Sequence, residues 1–164
     1  MAEGELKRFA TDVGTALLAR RWRLVSAESC TGGLVAATVT DIPGSSEWFE
    51  GAFVTYRLSA KTDMVGVSQA LLDSHGAVSE PVARAMAEGA LRASSADISV
   101  AITGVAGPGG GDVMTPVGTV WFAWATRDTA IQCLQTAEHN LEGDRAEVRQ
   151  AAVHIALEGF SALL

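Results

Sequence analysis

The spacing of apolar positions changes from segment to segment along this 164-residue chain, and each change marks an element. Leu6, Phe9, Val13, Ala16 and Leu17 recur every three or four positions, which predicts a helix over 5–19. The short run Leu24-Val25-Ser26-Ala27 predicts a strand over 24–28. A glycine-rich turn follows, then a helix from Leu34 to about Val39. Asp41-Ile42-Pro43-Gly44-Ser45-Ser46 has loop chemistry, and a second strand is expected over 51–56. Short helical stretches follow at 59–65 and 68–74. Ser79-Glu80-Pro81 opens a helix over 80–94, with Ser79 able to cap it and Pro81 tolerated in its first turn. A third strand, over 97–103, runs into five glycines within Gly104–Gly111. Two further strands are expected at 118–126 and 130–138, and a last helix runs from just after Gly143 to about Leu163.

Strands separated by helices predict an α/β class: a single three-layer α/β/α domain spanning 1–164, with a mixed, mostly parallel sheet of about five strands. The adjacent fourth and fifth strands suggest an antiparallel hairpin. Trp48, Phe49, Trp121, Phe122 and Trp124 alternate with apolar residues and read as core rather than as a base-stacking platform. The apolar positions of the last helix (Val148, Ala151, Ala152, Ile155, Phe160, Leu163) fit a homodimer contact as well as they fit core packing.

Composition narrows the function classes. Hydrophobic residues make up 48% and charged residues 19%, which suits a packed core rather than disorder. No apolar run approaches the roughly 20 residues needed to cross a bilayer, and the N-terminus lacks an apolar signal core, so a cytoplasmic protein with no membrane partner is expected. The net charge is −7, and an acidic chain is a poor nucleic-acid binder, because that affinity comes from neutralising phosphates. The basic cluster Arg20-Arg21-Trp22-Arg23 is the local exception and reads as a solvated helix end. Cys30 and Cys133, with His75, His139 and His154, match no metal-ligand spacing, so neither a metal nor a disulfide is expected.

Candidate chemistry concentrates in Ala27-Glu28-Ser29-Cys30-Thr31-Gly32-Gly33. A hydroxyl and a thiol stand on a strand-to-helix turn whose free N–H groups can meet an anion or a carbonyl oxygen. A serine needs a base, and Lys61 suits the part, since a partly desolvated lysine loses affinity for its proton. Tyr56 could relay a proton. Cys30 is the rival nucleophile, with a thiol pKa expected to fall at a helix N-terminus. Gly104–Gly111 matches neither a phosphate-binding P-loop nor a dinucleotide fingerprint, so no cofactor is indicated. Thr103, ending the third strand, would share the mouth with Ser29 if the two strands are parallel neighbours. Asp144 is a competent N-cap for the last helix, and Arg145 beside it could hold a phosphate.

Taken together, the stretches AESCTGG (27–33), PGSSEWFEGAFVTY (43–56), Lys61, HGAVSEPVARAMAEGAL (75–91), AITGVAGPGGG (101–111), PVGTVWFAWAT (116–126) and GDRAEVR (143–149) resemble the CinA carboxy-terminal domain family. The resemblance covers nearly the whole chain in order. It implies a nicotinamide-nucleotide amidohydrolase that converts nicotinamide mononucleotide to nicotinate mononucleotide and ammonia, in pyridine-nucleotide salvage. It implies Ser29 as nucleophile and Lys61 as base with Tyr56 near them, and a substrate pocket including Thr31, Thr103, Gly104 and Arg145. Cys30, Gly32, Gly33 and Gly107, in the same glycine stretches, complete the expected set. The longer family proteins carry an additional pyrophosphatase-like domain, whose activity is not expected here. One departure stands out: the family's Tyr-Ser-Asn-Glu-x-Lys-like run has Arg57, Leu58 and Ser59 in its middle positions. That departure motivates an alternative, a catalytically impaired pyridine-nucleotide-binding regulatory module; a Cys30-dependent amidase is a third reading.

Overall fold

The computed structural model describes residues 3–164. Helix α1 (Glu3–Arg20) leads into strand β1 (Leu24–Glu28), helix α2 (Leu34–Thr40), a 3₁₀ turn at Ser45–Glu47 and strand β2 (Phe49–Val54). Helices α3 (Leu58–Val65), α4 (Gln69–His75) and α5 (Glu80–Arg92) come next, then strands β3 (Ile98–Gly104), β4 (Thr119–Thr126) and β5 (Gln132–Asn140), and helix α6 (Arg145–Glu158) with a closing 3₁₀ turn. The sheet order is β2-β1-β3-β4-β5. β1 is parallel to both β2 and β3, whereas β4 is antiparallel to β3 and to β5, so β4 alone runs against the rest.

Each face of the sheet carries its own core. Leu24, Ile98, Val100, Ile102, Phe122 and Trp124 pack beneath α1, α2 and α6. On the opposite face Val25, Ala27, Ala101, Ala123 and Ala125 meet Val82, Ala83, Met86, Ala87 and Ala90 of α5. Small residues on both sides bring that helix close to the sheet. The expected three-layer α/β/α domain is what forms. Val148, Ala152 and Phe160 of the last helical segment are fully buried within this chain's own core. Trp48, Phe122 and Trp124 are core residues as expected, with Phe49 and Trp121 half-buried. Among the described residues no helix is long and apolar enough to cross a membrane.

Two local expectations are corrected. The second strand ends at Val54 rather than at residue 56, because the Thr55 carbonyl turns from the ladder to accept from Lys61. Ser79 occupies the N-cap position of α5 without capping it; its hydroxyl donates to the Gly76 carbonyl instead. Asp144 does cap α6, in a reciprocal capping box with Glu147.

The connection from β1 to β2 passes through α2 on one face, and that from β2 to β3 passes through α3–α5 on the other. Adjacent connections that leave on opposite faces open a crevice beyond the carboxyl ends of the strands, where α/β sheets place their ligands.

Candidate active site

Side chains alternate across a strand, and that alternation divides the end of β1 between two tasks. Glu28 points to the α2 face and Ser29, the next residue, to the α3 face. The Ser29 N–H still continues the ladder, donating to the Ile102 carbonyl at 2.9 Å, so the sheet fixes the serine backbone.

Glu28 is fully buried, and its carboxylate accepts five hydrogen bonds: from the hydroxyls of Ser26 (3.0 Å) and Thr31 (2.8 Å) and from the N–H groups of Gly33 (3.0 Å), Val35 (3.1 Å) and Ala36 (3.0 Å). The anion attracted by the start of α2 is therefore the protein's own. The turn between them folds through two left-handed glycines, Gly32 (φ +60°) and Gly33 (φ +96°), a conformation that glycine adopts without strain. From the other side Arg149 donates to the Thr31 carbonyl at 2.9 Å. The Gly32 N–H is taken by the Ser29 carbonyl and that of Leu34 by Thr31. Of the N–H groups at 30–33, those of Cys30 and Thr31 have no acceptor on another residue among the described residues.

Ser29 faces Lys61. The ammonium nitrogen Nζ lies 2.9 Å from Ser29 Oγ and donates to the Thr55 carbonyl at 2.8 Å. Lys61 is 1% exposed, and burial is the main cause that lowers its pKa to about 8; the nearby Cys30 opposes the shift. Cys30 itself is buried, and that desolvation raises its thiol to about 11, opposite to the fall expected for a thiol at a helix N-terminus. Cys30 lies four residues ahead of α2, whose first N–H groups are already bound, that of Leu34 to the Thr31 carbonyl and those of Val35 and Ala36 to Glu28. A thiol held protonated is a poor nucleophile.

The serine opens onto two adjoining lobes that share Ser29, Tyr56 and Gly104. One, of about 480 Å³, contains Lys61, Arg57, Leu58, Ser59 and Thr103; the other, of about 270 Å³, contains Cys30, Gly107 and Arg145. Thr103, at the end of the parallel neighbour, adjoins the same lobe as Ser29 but is buried rather than exposed at its mouth, because its hydroxyl donates to the Ala77 carbonyl. An added Cβ at Gly104 would stand 2.8 Å from the Thr119 carbonyl oxygen, so only glycine lets β3 pass β4 this closely. Arg145 spans the smaller lobe, donating to the Gly107 carbonyl and to the Tyr56 hydroxyl, each at 2.7 Å. The Tyr56 hydroxyl thus meets Arg145, not Ser29 or Lys61.

Of the residues singled out in the sequence, the structure brings Ser29, Cys30, Tyr56, Lys61, Thr103, Gly104, Gly107 and Arg145 to one cleft. Thr31, Gly32 and Gly33 line neither lobe; they build the turn that carries the serine. Sequence reasoning missed Glu28 and Arg149. An acidic residue a few positions before a glycine-led helix is the signal for the first, and an arginine one helical turn after Arg145 for the second.

A family model described as the CinA C-terminal domain matches residues 6–164. The chain belongs to that family. A family member from Escherichia coli (strain K12), named nicotinamide-nucleotide amidohydrolase PncC, is 52% identical over 159 residues, covering 96% of this chain and 94% of its own. The crystal structure of a CinA superfamily protein from Escherichia coli superposes with a TM-score of 0.92 at 39% identity, covering 100% of this chain and 94% of that one. The competence/damage inducible protein CihA from Agrobacterium tumefaciens gives 0.89 at 41% identity, covering 97% and 95%. The CinA fold is therefore shared along the full described length.

Proposed function

We propose that this protein is an amidohydrolase acting on nicotinamide mononucleotide, with Ser29 as nucleophile and Lys61 as general base. The name of the 52%-identical relative supports the substrate class. The 2.9 Å contact between Lys61 Nζ and Ser29 Oγ, at the junction of the two lobes, carries the chemistry.

A neutral Lys61 amine donates one N–H to the Thr55 carbonyl, and this directs its lone pair at the serine hydroxyl. The amine takes that proton as Oγ bonds to the carboxamide carbon. The carbonyl oxygen becomes an oxyanion beside the Cys30 N–H group; stabilisation of this kind is typically worth about 2.7–4 kcal/mol per donor. The carbon–nitrogen bond then breaks, the Lys61 ammonium returns the proton to the leaving nitrogen, and ammonia departs. A water molecule attacks the acyl-serine while Lys61 accepts its proton, and Ser29 regains a proton as the carboxylate leaves.

Arg145 has five N–H donors and uses two of its nitrogens on Gly107 and Tyr56, so donors remain for a 5′-phosphate in the lobe built by the glycine loop. Ammonia release by purified protein from nicotinamide mononucleotide, its dinucleotide and free nicotinamide tests the reading. Turnover of the mononucleotide, absent in Ser29→Ala, is expected. Arg57, Leu58 and Ser59 line the Lys61 lobe, and they are the ground for the second reading, a regulatory module. Tight nucleotide binding with no ammonia would favour that module and remove the amidohydrolase.

A further inference from the structure

The two lobes around Ser29 contain three cationic side chains, Arg57, Lys61 and Arg145, and no carboxylate. The proposed substrate is a zwitterion: its phosphate is negative, but its N-ribosylated pyridine ring is a permanent cation. The phosphate matches the guanidinium, whereas the ring has no anionic partner anywhere in the cleft lining. The one aromatic face that could receive a flat cation is that of Tyr56, the single aromatic residue of either lobe.

Three features prepare that ring. Tyr56 is 54% exposed and lies on the boundary shared by both lobes, next to Ser29. Arg145 holds it by the hydroxyl, at the ring edge, which fixes the side chain while leaving its faces open. Among the described residues no other ring stacks on it, and the one guanidinium lying over an aromatic ring is Arg8 over Phe9.

We propose that the Tyr56 ring is the seat of the substrate's pyridinium, so that this cleft selects cationic N-ribosyl nicotinamides over neutral carboxamides of the same shape. The inference rests on the amidohydrolase reading and assigns Tyr56 to specificity rather than to proton transfer. It also explains why the hydroxyl is turned away from the Ser29–Lys61 pair.

Calorimetric titration of the Ser29→Ala protein removes turnover and tests the idea directly. Two probes are compared: nicotinamide mononucleotide and benzamide riboside 5′-monophosphate, which keeps the carboxamide, ribose and phosphate on a neutral aromatic ring. The cationic ligand is expected to bind about 2- to 30-fold more tightly, the range a cation–π contact gives. Adding Tyr56→Phe should preserve that ratio, whatever it does to either affinity, because the ring stays. Adding Tyr56→Leu should bring the ratio close to one. A parent protein with no preference, or a Leu variant that keeps the preference, overturns the proposal, and a purely proton-relaying tyrosine gives the latter. If wild-type protein turns over the mononucleotide while the parent ratio is one, only this inference falls. If neither ligand binds, the amidohydrolase reading falls and this one with it.

Discussion

Lys61 Nζ sits 2.9 Å from Ser29 Oγ although 32 positions separate the residues, and both are almost closed to solvent. The pair is assembled by two independent elements. The end of β1 presents the serine to the α3 face, and the first turn of α3 lays the lysine across it. The Thr55 carbonyl at the end of β2 is the third point that fixes the amine.

The rate of ammonia release should rise with pH and level off above about 8. Burial lowers the Lys61 pKa to about 8, and the proposed mechanism requires the neutral amine. At pH 7 roughly a tenth of the lysine is in that form, so the slope of log rate against pH below 7 should be close to one. A pH-independent rate from 6 to 9 would remove Lys61 as the base.

Lys61→Met should lose at least about 100-fold in rate, as for removal of a general base, without losing stability at pH 7. Below pH 8 both folded and unfolded chains hold the lysine proton, and the folded chain bears the full penalty of a buried ammonium. Between about 8 and the ordinary value of 10.5 the folded state releases its proton first, so wild-type stability rises with pH across that window. The penalty is on the order of 3 kcal/mol, set against about 1–3 kcal/mol for the Thr55 carbonyl left without a donor. Thermal melts of the two proteins should therefore match or favour the methionine variant at pH 7, and its relative advantage should shrink towards pH 10.

Ser29→Ala and Cys30→Ala separate the two nucleophiles. Burial holds the Cys30 thiol up at about 11, so its side chain offers almost no thiolate at neutral pH. The alanine at 29 should abolish turnover, whereas the alanine at 30, which retains the backbone N–H, should keep most of it. Single-turnover assays decide this, and the opposite ranking would transfer the chemistry to sulfur.

Glu28→Gln should destabilise the fold. A glutamine has one acceptor oxygen where the carboxylate has two, and its amide nitrogen would confront N–H groups at the start of α2. Leaving buried donors unmatched costs on the order of 2–4 kcal/mol, or a fall of about 5–15 °C in Tm for a chain of this size. An unchanged melting curve would show that the turn holds its shape without the charge.

Much of the architecture could be read from local pattern. The first strand was expected over 24–28 and forms over Leu24–Glu28, because its apolar run ends at the glycine turn. The second strand was displaced by two residues, since Thr55 and Tyr56 continue the alternation while a lysine on the following helix draws the Thr55 carbonyl away. Ser29, Lys61 and Arg145, singled out by residue type, do line one cleft. Glu28 was not singled out, because a charged residue closing a strand looks solvated until the helix that it caps is folded onto it. Tyr56 was visible but its orientation was not: its partner Arg145 lies 89 positions away on another element.

The scarcity of lysine has a practical side. Lys7 projects from the surface of α1, while Lys61, the second of the two in the sequence, lies under the cleft floor. Among the described residues, bulky amine-coupling reagents therefore meet one accessible ε-amine. The protein can be tethered to a bead, a sensor chip or a fluorophore through Lys7 on α1, far along the chain from Ser29 and Lys61.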